Sequence, residues 1–332
     1  MTHVRVFAPA TVSNLGPGFD VLGLALSRPG DLVDAEWRDE PGIEIAEVTG
    51  DGGVLPTDPD RNVAGVAAAS VLAALFASGV SLERAGGARL PAGVRLRVHK
   101  QMPLESGLGS SAASSVAGAV AVNELFGRPL SRRELLPHAL AGERTAAGAG
   151  HADNAAPSLL GGITAIRGYG PLEVLDLPVP PALRLVVVHP HLQVETSYAR
   201  GLLRGFGFPI DLAVANLGNM AGFVAALYRG DLELLGRCIE DRLVEPLRMP
   251  LIPGLAAVKQ AAREAGALGC SISGSGPSVF ALAADDDTAD RVAGAMAGAF
   301  RDAADLESEA YTGPVNTEGA VQVAPEGTGR VA

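Results

Sequence analysis

Apolar positions along this chain recur with two periods, and the switches between them mark out its elements. Val94, Leu96 and Val98 alternate with Arg95, Arg97 and His99, which predicts a strand over 94–101 with one buried face. Similar runs predict strands at 4–8, 32–37 and 43–48 in the first half, and at 163–167, 183–189, 279–282 and 320–323 in the second. Helical spacing takes over at 62–78 and 110–126, and Ser131 with Glu134 forms a capping box that opens a further helix reaching 147. Residues 196–203, 212–228, 232–242, 254–265 and 288–300 also read as helices. Strands and helices do not alternate one for one, so the fold class is α+β rather than a regular βα repeat.

Composition narrows the picture. The chain has 332 residues, enough for about two domains, and 48% hydrophobic with 19% charged residues describes a soluble globular protein. A net charge of −11 sets it against nucleic acid and anionic membrane, so an anionic ligand has to be held by local donors and a metal ion. Two cysteines, Cys238 and Cys270, and no secretory leader before the first strand fit buried thiols in a cytoplasmic protein. The uncharged run 63–80 is long enough to suggest a membrane span. Its alanine, glycine and serine content, with Asn62 as a cap and Gly79 as a stop, reads instead as a buried soluble helix.

Candidate chemistry concentrates where the strand at 94–101 meets the helix at 110–126. Between them run Pro103, Leu104, Glu105, Ser106, Gly107, Leu108, Gly109, Ser110, Ser111, Ala112 and Ala113. The first turn of a helix leaves N–H groups unpaired at the positive end of its dipole, which suits an anion. Gly107 and Gly109 permit close backbone approach, and Ser110 and Ser111 add hydroxyl groups. The letters also fit a flexible linker or the dinucleotide pattern G-x-G-x-x-A. Linkers do not usually join a strand to a long apolar helix, and Glu124 comes too early for the acidic partner that a dinucleotide site needs. The lysine of a Walker loop and a G-x-S-x-G nucleophile elbow are both absent from the sequence.

Three further segments are rich in turn formers: Pro9 to Gly23, containing Asn14 and Asp20; Gly150 to Gly162, containing His151, Asp153 and Asn154; and Ser271 to Ser278, containing Gly274. Singly each reads as a loop. In this order, together with the Gly/Ser loop and the segment Glu245 to Gly254, they resemble the GHMP kinases over nearly the whole chain, and within that superfamily the homoserine kinases. The resemblance implies a domain like ribosomal protein S5 domain 2 over 1–160, a ferredoxin-like domain over 161–324 and a tail at 325–332. The active site is then expected between the two domains.

What the resemblance implies about chemistry is ATP-dependent phosphorylation of L-homoserine in threonine biosynthesis, with Mg²⁺ held by Ser111 and Glu143 and the phosphates cradled by residues 103–113. Lys100 is expected near the nucleotide. Homoserine offers an ammonium, a carboxylate and a hydroxyl. Asp20 suits the first, the planar forks of Arg200 and Arg248 suit the second, and Asn14, Asn154, Thr196 and Gly274 suit the acceptor end. Asp153 is the candidate base, by analogy with galactokinase-like relatives, whereas homoserine kinases are thought to pass the proton to the phosphate itself. A homodimer is the expected assembly. Two alternatives stay open: the same fold acting on a mevalonate-type or sugar acceptor, and a nucleotide-binding relative without catalysis. Glu105 departs from the small residue that relatives carry at its place.

Overall fold

The computed structural model describes residues 2–79, 93–147 and 150–324. In chain order the first part comprises β1 (His3–Ser13), β2 (Leu22–Arg38), β3 (Gly42–Thr49), α1 (Val63–Ala77), β4 (Gly93–His99), α2 (Ser110–Leu125), α3 (Arg132–Ala147), α4 (Ala152–Leu160), β5 (Ile163–Tyr169) and β6 (Leu172–Leu177). The second part comprises β7 (Arg184–Pro190), α5 (Thr196–Gly201), α6 (Ile210–Arg229), α7 (Leu232–Arg237), α8 (Glu245–Arg248), α9 (Leu255–Glu264), β8 (Gly269–Ile272), β9 (Val279–Ala283), α10 (Asp286–Ala304), β10 (Ser308–Pro314) and β11 (Val321–Val323).

Two sheets organise these elements. The first runs β11-β1-β2-β4-β3, with β5 and β6 added along the far half of β2; β3 and β4 are parallel and the other pairs antiparallel. Strand β2 is long enough, at 17 residues, to pair with β4 through Leu32 to Arg38 and with β5 through Leu22 to Leu24. The second sheet is antiparallel in the order β10-β7-β9-β8 and carries α9 and α10, the ferredoxin-like arrangement. The protein is therefore α+β, as the periodicity implies. Strands 163–177 and 321–323, on the far side of residue 160, build part of the first sheet.

Helix α2 shows why an alanine-rich sequence belongs here. Its small side chains are buried almost all round, against α1 and α3 on one side and β1 and β2 on the other. Helices buried on every side need no polar stripe. The alanine run at 63–77 is likewise a packed helix, capped by Asn62 through its Oδ1 and the Ala64 N–H at 3.0 Å; Val80 lies outside the described residues. The Ser131–Glu134 capping box forms, with the Glu134 carboxylate accepting from the Ser131 N–H at 2.8 Å.

Differences from the periodicity have local causes. The helix expected over 232–242 stops at Arg237, because Asp241 turns back to accept the N–H groups of Leu243, Val244 and Glu245 and so starts the next turn. Segment 152–160, read as a loop, is helical, with Pro157 inside it. Strands β6, β8 and β10 show little alternation in sequence; β8 has only four residues, and β6 and β10 hold no fully buried residue.

Candidate active site

The Gly/Ser loop is pinned between the two sheets. The Leu108 carbonyl accepts from the Thr11 N–H of β1 at 2.9 Å, while the Gly107 carbonyl accepts from Ser273 Oγ at 2.7 Å and the Ser106 carbonyl from Ser278 Oγ at 2.6 Å. Gly107 and Gly109 have φ of +77° and +67°. A Cβ on Gly109 would lie 2.1 Å from Thr11 Oγ1, and one on Gly107 would lie 2.5 Å from the Ser273 carbonyl oxygen, so both positions exclude a side chain. Gly109 then leads directly into α2, leaving the N-terminal N–H groups of that helix at the loop. The hydroxyls of Ser106 and Ser110 are buried with no protein partner among the described residues, which marks a place prepared for acceptor or donor groups from outside the chain. Pro103 and Leu104 are half-buried. Glu105 is exposed in a left-handed conformation (φ +53°), and its carbonyl accepts from the Val194 N–H at 3.3 Å. Its charge thus lies in solvent at the outer rim of the loop.

Helices α2 and α3 bring Ser111 and Glu143 together, with Ser111 Oγ donating to Glu143 Oε1 at 2.5 Å. Glu143 is 3% exposed; burial pushes its carboxyl up to about 7, against the Ser111 hydrogen bond and the Lys100 charge, which favour ionisation. A buried carboxylate beside a hydroxyl, next to two unpartnered hydroxyls, fits a hard divalent cation. Mg²⁺ takes one or two protein oxygens and completes its shell with phosphate and water. Lys100, expected near the nucleotide, lies at the start of α2. Its ammonium is buried beneath α2, bonded to the Asp31 carboxylate, to the Ser110 carbonyl at 2.9 Å and to Ser114 Oγ at 2.8 Å. All three ammonium donors are thereby spent on holding the helix start in place.

The other candidates converge beside the loop. Asn14, with φ +71°, donates to the Gly274 carbonyl at 3.0 Å and accepts from the Asp20 N–H at 3.1 Å. Asp20 and Arg200, expected to bind opposite ends of one substrate, form a two-pronged ion pair with each other at 2.8 and 2.9 Å. Arg200 also meets His151 Nε2 at 3.1 Å, and burial followed by the Arg200 charge lowers the His151 pKa. Arg248 is 3% exposed, donates to the Gly274 carbonyl at 2.7 Å and makes no ion pair among the described residues; burial and then the Arg200 charge weaken its hold on its proton. A buried cation without an ion-pair partner is costly to hold, and Arg248 is steadied only by the more distant charges of Asp20, Asp241 and Asp153. Thr196 Oγ1 lies 3.3 Å from Ser275 Oγ. Asn154 accepts from Thr11 Oγ1 at 2.7 Å, touching the place that a Gly109 side chain would fill, and so links this group to the phosphate loop.

Asp153 lies in the first turn of α4, 2% exposed, with Oδ1 unpartnered among the described residues. Burial, reinforced by the nearby Asp20 charge, pushes its carboxyl up to about 7.

The sequence and the fold are shared with known proteins. The models for the GHMP kinases N terminal domain and the GHMP kinases C terminal domain match residues 69–162 and 223–302. The chain is 44% identical to the homoserine kinase of Chloroherpeton thalassium across 96% of this chain and 99% of that one. Identity to the Xanthomonas campestris pv. campestris homoserine kinase is 40%, across 96% and 94%. The crystal structure of homoserine kinase from Cytophaga hutchinsonii superposes with a TM-score of 0.90 at 44% identity, covering 97% of this chain and 98% of that one. The chain belongs to the GHMP kinases, in the homoserine kinase family. The mevalonate kinase of L. major, at 20% identity and a TM-score of 0.69 over 94% of this chain and 95% of that one, shares the fold. As a GHMP kinase the chain is a phosphotransferase that uses ATP.

Two residues of this kinase's site escaped the sequence reading. Phe19 packs its ring 5.5 Å from the Arg200 guanidinium and 5.3 Å from that of Arg248. Tyr169 donates its hydroxyl to the Asp20 carbonyl at 3.0 Å, and burial, followed by the Asp153 and Asp20 charges, raises its pKa. Phe19 sits inside a motif whose polar letters draw the eye, and Tyr169 comes from the end of β5, so no local pattern joins it to the others.

Proposed function

We infer that this kinase transfers the γ-phosphoryl group of ATP to the side-chain hydroxyl of L-homoserine, giving O-phospho-L-homoserine for threonine biosynthesis. The observation that carries the acceptor is the buried Arg248 guanidinium, with no ion pair among the described residues, beside the Asp20–Arg200 pair. An α-amino acid zwitterion can replace that pair charge for charge, its ammonium meeting Asp20 and its carboxylate meeting Arg200 and Arg248. A sugar presents neither charge and would leave the Arg248 cation without an anion, whereas mevalonate brings a carboxylate but no ammonium to take the place of Arg200 on Asp20. The homoserine kinase identity of the relatives supports the same acceptor.

The loop N–H groups at the start of α2 and the free hydroxyls of Ser106 and Ser110 hold the phosphates. Ser111 and Glu143 would hold Mg²⁺, which when bound neutralises charge on the transferring phosphoryl group. Asn14 and Asn154 fix the loops on either side of the acceptor. As the new bond from the hydroxyl oxygen to phosphorus forms and the bond to ADP breaks, the hydroxyl proton passes to Asp153. Its unpartnered Oδ1 and a pKa of about 7 suit a proton acceptor at neutral pH. Positioning and charge stabilisation supply most of the rate.

The protein works in the cytoplasm, where free thiols such as Cys238 and Cys270 persist. It also pairs with a second copy. Ile210, Val214, Leu217 and Tyr228 form an exposed apolar stripe on α6, a helix long and apolar enough by composition to cross a membrane. Asp211 and Arg229 flank the same side of that stripe, so antiparallel pairing about a twofold axis sets each beside the other of its partner. Asp211→Arg should dissociate the dimer in sedimentation, and adding Arg229→Asp should restore it; a monomeric parent chain refutes the pairing.

The substrate test is ADP release with Mg-ATP and L-homoserine, mevalonate, galactose or shikimate. Turnover of homoserine alone is expected, and turnover of another acceptor without homoserine refutes the assignment.

A further inference from the structure

Phe19 is the residue between the acceptor's two arginines, and its chemistry differs from theirs. It follows a turn in which Asn14, Leu15 and Gly16 all have positive φ, and it precedes Asp20, whose φ is +57°. The turn is fixed by the Gly18 N–H bonded to the Asn14 carbonyl at 2.9 Å and by the Asp20 N–H bonded to the Asn14 side chain at 3.1 Å. The half-buried ring is therefore held in place, with one guanidinium 5.5 Å and the other 5.3 Å from its centre.

These two cations repel each other, and the Arg200 charge is among the causes that weaken proton binding at Arg248. Among the described residues Arg248 makes no ion pair, the carboxylates of Asp20, Asp241 and Asp153 acting on it only through space, and one protein acceptor, the Gly274 carbonyl, takes a single N–H. The Nε groups of Arg200 and Arg248 are both buried without a partner among the described residues. An aromatic face attracts a guanidinium through its quadrupole and takes up none of its N–H donors. Aliphatic packing would fill the space without that attraction, and a carboxylate would attract but occupy the donors.

We propose that Phe19 is a positioning residue for the acceptor carboxylate: its ring holds the two guanidinium forks near each other by cation–π contact and takes up none of their N–H donors, so that Arg248 keeps donors for the substrate carboxylate and Arg200 exchanges Asp20 for it when the substrate ammonium takes Asp20. The proposal rests on the homoserine reading above. Replacing the ring by an aliphatic chain lets the forks separate and lowers affinity for a carboxylate, leaving the ATP side untouched.

The test compares the parent kinase with Phe19→Leu, Phe19→Met and Phe19→Trp, using L-homoserine and L-homoserinol, which lacks the carboxylate. Two cation–π contacts correspond to a roughly five- to thirtyfold rise in KM for L-homoserine in Phe19→Leu and Phe19→Met. The KM for ATP and kcat should stay within about twofold, the homoserinol KM should not respond, and Phe19→Trp should restore most of the loss, because indole is the strongest cation–π partner. An unchanged homoserine KM, an equal rise for homoserinol, or no rescue by tryptophan overturns the proposal. The methionine variant, with an unbranched chain that adapts to irregular space, keeps the test readable if the leucine variant fails to fold. Parent enzyme that turns over no homoserine overturns the acceptor assignment instead, so the two failures are distinct.

Discussion

Replacing Asp153 by asparagine should make the protein's stability respond to pH in a calculable way. In the folded chain burial and the neighbouring Asp20 charge raise the Asp153 carboxyl from 3.8 to about 7. The folded state therefore binds this proton more tightly than the unfolded state does. For an acid with a raised folded pKa, the stabilising contribution is fully present below the unfolded pKa and is lost as pH climbs toward the folded one. The gap corresponds to about 4 kcal/mol, and between pH 4 and pH 7.5 roughly 3 to 4 kcal/mol of it should develop. An asparagine amide at this position does not titrate. The stability of Asp153→Asn relative to the parent should thus rise by that amount over this range, whatever pH-independent offset the amide introduces. Glu143, raised to about 7 by burial, titrates in the same window in both proteins and cancels from the difference. Urea unfolding at half-unit pH steps measures it. A difference that stays flat within about 1 kcal/mol refutes the argument that Asp153 is held against its charge. The same substitution removes the proton acceptor, so kcat should fall by roughly a hundredfold. In the parent enzyme kcat should rise with pH through about 7, since protonated Asp153 cannot accept.

Three further outcomes separate function from packing. Glu143→Gln should lower kcat by roughly a hundredfold and raise the Mg²⁺ concentration needed for half-maximal activity, with the thermal midpoint held or increased; unchanged activity removes Glu143 from the cation site. Arg248→Lys keeps the charge but loses the planar fork, so the KM for homoserine should rise by roughly tenfold or more while the KM for ATP holds, as steady-state kinetics will show. Lys100→Met strands the Asp31 carboxylate, which is fully buried, and should cost about 3 to 5 kcal/mol in chemical unfolding. A variant that instead folds normally and loses only ATP affinity returns Lys100 to the nucleotide.

Lys100 also shows what reading letters in order leaves undecided. It ends a strand just before the phosphate loop, so sequence distance places it beside the nucleotide, but the alternation of β4 says only which residues face inward. Which inward partner it meets depends on β2 lying alongside, because Asp31 sits next to the pairing of Leu32 with His99. Ser111 and Glu143 lie on helices marked in the sequence, one by its unbroken run of small apolar residues and the other by its capping box, whereas the helix at 152–160 was hidden by Pro157 and its flanking glycines.

The sequence by itself determined the α+β class, most helices, the strand-loop-helix cradle and, through four ordered segments, the family. Those features are local: periodicity, caps and glycines act over a few residues. Tertiary structure alone decided that Asp20 and Arg200 face each other, that Arg248 is buried with no ion pair among the described residues, and that Phe19 lies between the two guanidiniums. It also set the proton affinities of Glu143 and Asp153, because desolvation is a property of what surrounds a carboxyl in space and leaves no mark on its neighbours in the chain.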